Sequence, residues 1–297
     1  MTDPAVSFEP HRQRLLGLAY RMLGSVSEAE DAVQDAYLRW HGTDRDAVTD
    51  PRAFLTTTTT RICLDMLKSA RVQREKYVGP WLPEPVVDTA ALAPDTQTEL
   101  AEDLSIALLL TLDRLSALER AAFLLHDVFD CSFSEVASAL DRSEAACRQL
   151  ASRARTHVRE ARPQGISTVR DTSEPSNHQQ LVSAFVNAAK SGDLQTLMGL
   201  LADDVRLTTD GGGKVVAALN VIEGADRTAR FVVGAVSKGL PEGSIVRIGP
   251  INGLPGLIVY RPDGSVQSVA FEIVDNRVRA IYSVSNPDKL SHLVPRA

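Results

Sequence analysis

Cysteine is scarce. The three present, Cys63, Cys131 and Cys147, are an odd number with no close pairing, which argues against both a disulfide framework and a zinc site. A reducing compartment, the cytoplasm, is the expectation. No apolar run approaches the roughly 18–20 residues of a membrane span, so no membrane partner is expected. The start, Met1-Thr2-Asp3-Pro4, has no basic flank followed by an apolar stretch, so no signal peptide is expected. Basic charge is also in deficit. The chain holds 32 Lys and Arg against 38 Asp and Glu, a net charge of -6. Residues 1–165 carry 19 basic and 25 acidic side chains, and residues 166–297 carry 13 of each. A free-standing DNA-binding protein is normally basic. Any DNA-reading face here must therefore be kept apart from an acidic one. Apolar residues are plentiful, at 44% of 297 residues, enough for the cores of two or three domains.

The chain divides by its local grammar. Residues 8–76 read as helical. Ser27 and Glu30 have capping-box spacing, and Ala29, Ala32, Val33, Ala36, Tyr37 and Trp40 then recur at helical period on one face. Asp50-Pro51 opens another helix, although the β-branched run Thr56 to Thr60 suits a strand as well. Residues 77–97, with Pro80, Pro83, Pro85 and Pro94, read as an extended linker. Residues 98–162 return to helix, with capping boxes at Ser116/Glu119 and Ser132/Glu135. Residues 163–177 are a second, polar linker. Beyond it, helices are expected at 178–190, 193–202 and 224–238, and strands at 204–209, 244–250, 256–261, 265–274 and 277–284. The intervening turns are expected at 253–256, 262–264 and 275–276. Helices followed by an antiparallel sheet suggest an α+β domain.

Three segments carry function. At 132–160 a short helix from Phe133 to Leu140, the tight Asp141-Arg142-Ser143 and a longer helix from Glu144 make a helix-turn-helix. Its second helix turns Cys147, Leu150, Ala154 and Val158 inward, leaving Arg148, Gln149, Ser152, Arg153 and Thr156 outside. Six arginines between 142 and 162 face only Glu144 and Glu160. Arginine reads guanine bidentately and glutamine reads adenine, so Arg142, Ser143, Arg148, Gln149, Ser152 and Arg153 are the expected DNA readers. The second segment is the polar face of the helix at 28–41. Asp31, Gln34, Asp35 and Leu38 form an acidic, partly apolar stripe, a poor DNA surface and a reasonable protein-docking one. An ordinary solvated helix face accounts for it better when it is taken alone. The third is Arg61, Lys68, Arg71, Arg74 and Lys76, diluted by Asp65 and Glu75, a set suited to phosphates or melted bases.

Together these segments resemble a known family. The run from Glu28 to Trp40 is similar to region 2 of sigma-70-type factors, which docks on the beta-prime clamp helices of RNA polymerase. Pro51-Arg52-Ala53-Phe54-Leu55 through Arg61-Ile62-Cys63-Leu64-Asp65 resembles the stretch that opens and reads the minus-ten element. Leu115-Ser116-Ala117-Leu118-Glu119-Arg120 with Phe133-Ser134-Glu135-Val136-Ala137 resembles region 4, the minus-thirty-five reader. The layout is that of the extracytoplasmic-function class. Trp81-Leu82-Pro83-Glu84-Pro85, Asp210-Gly211-Gly212-Gly213-Lys214 and Asn286-Pro287-Asp288-Lys289-Leu290 resemble signatures of a subgroup with a fused SnoaL-like domain. One departure is Cys63, where many relatives of the wider class carry Asn.

The resemblance implies a multidomain fold of two all-α sigma domains and a C-terminal α+β cone. It assigns region 2 to 1–76, a linker to 77–97, region 4 to 98–162, a linker to 163–177 and the SnoaL-like domain to 178–297. It implies core RNA polymerase (beta-prime clamp helices and beta flap) and promoter DNA as partners, with no cofactor. An unidentified small ligand could occupy the C-terminal domain. That domain is expected to regulate in cis through the three signatures, with Trp81 as anchor and a Glu84–Lys214 ion pair setting register.

The rival readings are a ligand-responsive helix-turn-helix regulator and a SnoaL-like enzyme with a DNA-binding appendage. The docking stripe weighs against the first. Against the second, the candidate acid/base groups are few: His178, His292, Asp204, Asp210, Glu272 and Tyr282. No catalytic residue is assigned. Asp210 to Lys214 lacks the spacing of a phosphate-binding P-loop and reads as a turn with a contact role.

Overall fold

The computed structural model describes residues 3–74, 77–87, 92, 105–161 and 175–294, with only the backbone described at 70–74, 161, 175 and 176. The chain forms two compact units. One is Met1–Glu75 with Asp88–Thr168, and the other is Lys76–Val87 with Val169–Ala297.

The first unit is helical. Helix α1 spans Pro4–Leu23, α2 Val26–His41 and α3 Pro51–Arg74, and the three pack on one another. The α2 cap differs from expectation. Ser25, in extended backbone, accepts from the Glu28 amide, and the helix begins at Val26, before Ser27. Ala29, Ala32, Val33, Ala36 and Trp40 are buried as their spacing predicts. The Trp40 indole donates to the Ser7 hydroxyl at 3.1 Å. Asp50 caps α3 by accepting from the Ala53 amide at 3.0 Å. The threonine run is helical. Thr56, Thr58, Thr59 and Thr60 are buried, and the Thr60 hydroxyl donates to the Thr56 carbonyl, so packing overrides a weak propensity.

Helices α4 (Ile106–Asp113), α5 (Ala117–Phe123), α6 (Phe133–Leu140) and α7 (Glu144–Ala161) follow. Both capping boxes, at Ser116/Glu119 and Ser132/Glu135, form. A π-helical turn, Leu124–Val128, extends α5 and has no counterpart in the sequence expectation. Helix α6 ends on Asp141 in the left-handed region (φ 53°), which turns the chain into α7.

The second unit is α+β. Helices α8 (Pro175–Ser191), α9 (Leu194–Leu200) and α10 (Ala225–Gly239) cover one face of a curved six-stranded sheet. Its strands are β1 (Leu201–Asp210), β2 (Ile222–Glu223), β3 (Ile245–Ile251), β4 (Leu254–Tyr260), β5 (Val266–Val274) and β6 (Arg277–Val284), in the order β2-β1-β6-β5-β4-β3. Only β1 and β6 pair in parallel. The core lies between helices and sheet, with Leu181, Phe185, Leu197, Leu207, Leu257, Phe271 and Ile281 buried and the Phe185 and Phe271 rings edge to face. The turn expected at 253–256 sits earlier. Asn252 and Gly253 both have positive φ (51° and 74°), the pattern of a two-residue hairpin turn, and Leu254, Pro255 and Gly256 belong to β4. Residues 77–87, the first part of the extended linker expected at 77–97, belong to this unit.

Candidate polymerase and promoter surfaces and the seat of the proline-rich segment

In the first unit, α2 has two faces. Asp31, Gln34, Asp35 and Leu38 are all exposed, opposite the buried apolar stripe, with Leu38 at 58%.

The basic set on α3 is split. Lys68 pairs with Asp65 at 2.7 Å on the surface. Arg61 reaches across to α6, where Nε and Nη2 donate to the carbonyls of Ala139 and Ser138 at 3.1 and 2.7 Å. The last carbonyls of a helix lack intrahelical partners and carry partial negative charge, and Arg61 satisfies them. The side chains of Arg71 and Arg74 lie outside the described residues.

Two other arginines tie α1–α3 to the later helices by the same means. Buried Arg14 donates to the Phe129 carbonyl and lies over its ring, 5.0 Å from the centroid. Buried Arg120 donates to the carbonyls of Leu112 (2.8 Å) and Met22 (2.6 Å) and to Asp113 (3.0 Å). Burial lowers the Arg120 pKa to about 10, so it stays charged at neutral pH.

On α7, Cys147, Leu150, Ala154 and Val158 are buried, while Arg148, Gln149, Ser152, Arg153 and Thr156 are exposed. Several expected readers have internal partners as well. Arg148 pairs with Glu144 at 2.5 Å and sits over the Phe133 ring, on which His126 stacks at 3.9 Å. Arg153 pairs with Glu119 at 2.9 Å. The Ser143 hydroxyl caps α7 by accepting from the Ala146 amide. The Arg142 guanidinium donates to its neighbour's carbonyl, at Asp141. These contacts fix the helix and its arginines before any DNA arrives.

In the second unit the three sequence signatures meet around one buried carboxylate. Asp210, at the end of β1, is 1% exposed. It accepts from the Tyr77 hydroxyl (2.5 Å), the Leu82 amide (2.8 Å), the Gly212 amide (3.0 Å) and Lys289 Nζ (2.8 Å). Lys289 also donates to the Leu82 carbonyl, and its ammonium lies 4.2 Å from the Trp81 ring centroid. Asn286 donates to the Tyr77 hydroxyl at 2.9 Å. Burial, then the hydrogen bond to Asp210, raises the Tyr77 pKa, so the phenol remains a donor. Gly212 has φ +60°, and a Cβ there would strike the Asn286 amide at 2.3 Å. The glycine run is required by this close approach.

Further along, the Val86 amide donates to Asn252 Oδ1 (3.0 Å), the Asn252 amide to the Val86 carbonyl (2.7 Å), and His292 Nε2 meets the Pro85 carbonyl (2.8 Å). Leu82, Pro83, Glu84, Pro85 and Val86 are buried and Trp81 is half-buried. Two expectations change accordingly. The apolar anchor is Leu82, at 0% exposure, with Trp81 serving as the face on which Lys289 rests. Lys214 pairs with Asp288 at 2.6 Å, not with Glu84, because Glu84 is turned into the packed segment while Lys214 stands at the surface.

A model of Sigma-70 region 2 matches residues 8–72, and one of Sigma-70, region 4 matches residues 105–158. The ECF RNA polymerase sigma factor SigJ of Mycobacterium tuberculosis is 42% identical over 294 residues, covering 96% of this chain and 92% of that protein. The chain belongs to the extracytoplasmic-function (ECF) class of sigma factors. The probable ECF RNA polymerase sigma factor SigI of the same species is 29% identical, with 98% of this chain covered. The crystal structure of Mycobacterium tuberculosis SigJ aligns with a TM-score of 0.73 and 37% identity, covering 97% of this chain and 98% of that one. As a sigma factor, the protein binds core RNA polymerase and promoter DNA and directs transcription initiation. This resolves the charge deficit, since a sigma factor borrows DNA affinity from the polymerase.

The C-terminal domain of this ECF factor is a curved sheet covered by helices on one face, and its acid/base candidates are dispersed. Asp210 is tied up by four donors. The Tyr282 hydroxyl donates to Glu272 at 3.1 Å, with its pKa raised by burial and then by that carboxylate. Asp204 is exposed, 3.9 Å from Arg279. Among the described residues no group of His, Cys, Asp and Glu has metal-binding geometry, and no helix is long and apolar enough to cross a membrane.

Sequence reasoning missed Tyr77, Asn252 and the buried arginines. Arg14, Leu18 and Arg21 share the buried face of α1 at helical spacing, an interrupted apolar stripe that was available as a signal.

Proposed function

We propose that this sigma factor is regulated in cis by its C-terminal domain, which holds the segment between regions 2 and 4. The observation that carries this reading is the buried Asp210, which joins Tyr77, Leu82 and Lys289 in one network. A linker seated on a folded domain has a fixed end point and less slack, and slack sets whether regions 2 and 4 reach both promoter elements at once. In this reading Asp31, Gln34, Asp35 and Leu38 dock on the beta-prime clamp helices. Region 4 engages the beta flap and reads the minus-thirty-five element with Arg142, Arg148, Gln149, Ser152 and Arg153, and Ser143 orients their helix. Arg61, Lys68, Arg71 and Arg74 approach the minus-ten element. The factor works in the cytoplasm, where core polymerase acts. Trp81, Pro83, Glu84, Pro85, Gly211, Gly213, Lys214, Pro287, Asp288 and Leu290 shape the seat.

Run-off transcription with core polymerase tests this. Compared with the full-length factor, Asp210→Asn and a chain ending before Asn286 should change promoter output in the same direction. Equal transcription by all three would remove the cis-regulatory role. Reversal of Asp31 and Asp35 to Lys should abolish pull-down of core polymerase, and unchanged pull-down would remove the docking assignment.

A further inference from the structure

The outer face of the sheet, away from the helices, is covered in part by residues 77–87 and in part by the tail from Asn286. A groove of about 710 Å³ remains open over the edge strand β3, within the ~300–1,000 Å³ usual for small-molecule sites. It is lined by Ile251, Ile258 and Leu293, with Val87 and His292 in its walls. Among the described residues no acidic side chain lines it. Its one guanidinium, Arg247, is exposed, lies 5.3 Å from the Tyr260 ring centroid and makes no ion pair among the described residues.

Gly249 points to an occupant. It lies within β3 opposite Gly256. A Cβ on Gly256 would strike the Val269 carbonyl at 2.6 Å, so packing accounts for that glycine. A Cβ on Gly249 would meet nothing within 4 Å, and its φ is not positive. Glycine inside a strand weakens it and often marks a place where a ligand approaches the backbone. Here it keeps the groove open.

We infer that this groove binds a small aliphatic carboxylate, with the chain on Ile251, Ile258 and Leu293 and the head group on Arg247. The apolar lining and the single unpaired cation are complementary to that class and to neither a bare anion nor a neutral hydrocarbon. The walls include Val87, next to the Val86–Asn252 pair, and His292, which holds the Pro85 carbonyl. An occupant therefore touches the end of the seated segment. Binding is independent of the cis-regulatory reading, and only an effect on transcription rests on it.

Calorimetric titration of the full chain, below micelle-forming concentrations, uses decanoate, decanol and acetate. Decanoate should bind saturably at one site, decanol about tenfold more weakly (~1.4 kcal/mol) and acetate not measurably. Arg247→Gln should reduce decanoate to the level of decanol. Gly249→Val, which the open space and a strand both accommodate, should put a branched side chain on the groove floor and sharply weaken binding with the melting temperature retained. Absence of saturable decanoate binding, or equal binding by Gly249→Val, overturns the site. If decanoate alters run-off transcription for the wild type and not for Gly249→Val, the groove is an input to regulation. If binding is intact and transcription unchanged, the site stands and its regulatory effect is overturned.

Discussion

The two units bury positive charge in different ways. In the first, Arg14 and Arg120 are almost fully buried and their hydrogen bonds run mainly to backbone carbonyls, with Asp113 the one carboxylate on Arg120. In the second, Lys289 faces Asp210, and the two side chains are 9% and 0% exposed. A guanidinium spreads its charge over a planar fork that several carbonyls can share, whereas an ammonium is a compact, strongly hydrated point charge that pairs with a full counter-charge. Carbonyl-held arginines leave no buried anion behind if the contact parts. A buried ion pair leaves a bare charge on each side, an anion on one and a cation on the other. The first kind of contact suits helices that must engage a polymerase and two DNA elements, and the second suits a latch.

The contrast is best broken at Asp210. Asp210→Ala leaves Lys289 buried without its counter-ion and strips acceptors from Tyr77, Leu82 and Gly212. We expect a loss of about 3–5 kcal/mol in urea unfolding of the full chain. The double replacement Asp210→Leu with Lys289→Met should recover part of it, because an apolar pair carries no desolvation cost. A single-mutant loss below about 1 kcal/mol would mean the pair is solvated and the latch picture is wrong.

Within the same seat, Leu82→Ala should cost about 2–5 kcal/mol, as for a fully buried leucine. Trp81→Ala should cost less, because Trp81 is only partly buried and the cation–π contact adds only about 0.5–2 kcal/mol. The reverse ranking in thermal melts would restore Trp81 as the anchor.

In the first unit, Arg120→Met should cost about 1–3 kcal/mol, mainly the penalty for unpaired carbonyls, since its carboxylate partner Asp113 is partly exposed to water. An effect as large as that of Asp210→Ala would erase the distinction between the units. The smallest effect is expected at Arg61. Arg61→Ala should lower stability by no more than about 1 kcal/mol at this partly exposed position, while speeding amide hydrogen exchange at the C-terminal end of α6. Unchanged exchange there would show that Arg61 does not hold that helix end.

Local patterns were legible where the signal is periodic. The buried and exposed faces of α2 and α7 follow from residues three and four apart, and two of the three expected capping boxes form where the spacing put them. The third shifted to Ser25 because serines at 25 and 27 both stand near the start of the helix and only backbone geometry selects between them. The threonine run was ambiguous because propensity differs by fractions of a kcal/mol per residue, less than burial contributes.

The seat of the proline-rich segment was legible only as three unusual stretches. The amino-acid sequence by itself determined the helical modules, the inward and outward faces of their helices and the α+β character of the C-terminal part, because these depend on neighbours within a turn or a strand. Tertiary structure alone decided that Tyr77 and Asn286 would share Asp210's network across 133 and 209 positions of chain, and that Arg61 would cap a helix 77 residues away. It also gave Lys214 to Asp288 in place of Glu84. Such pairings are set by which groups lose water together when the chain closes on itself, and no local period records that.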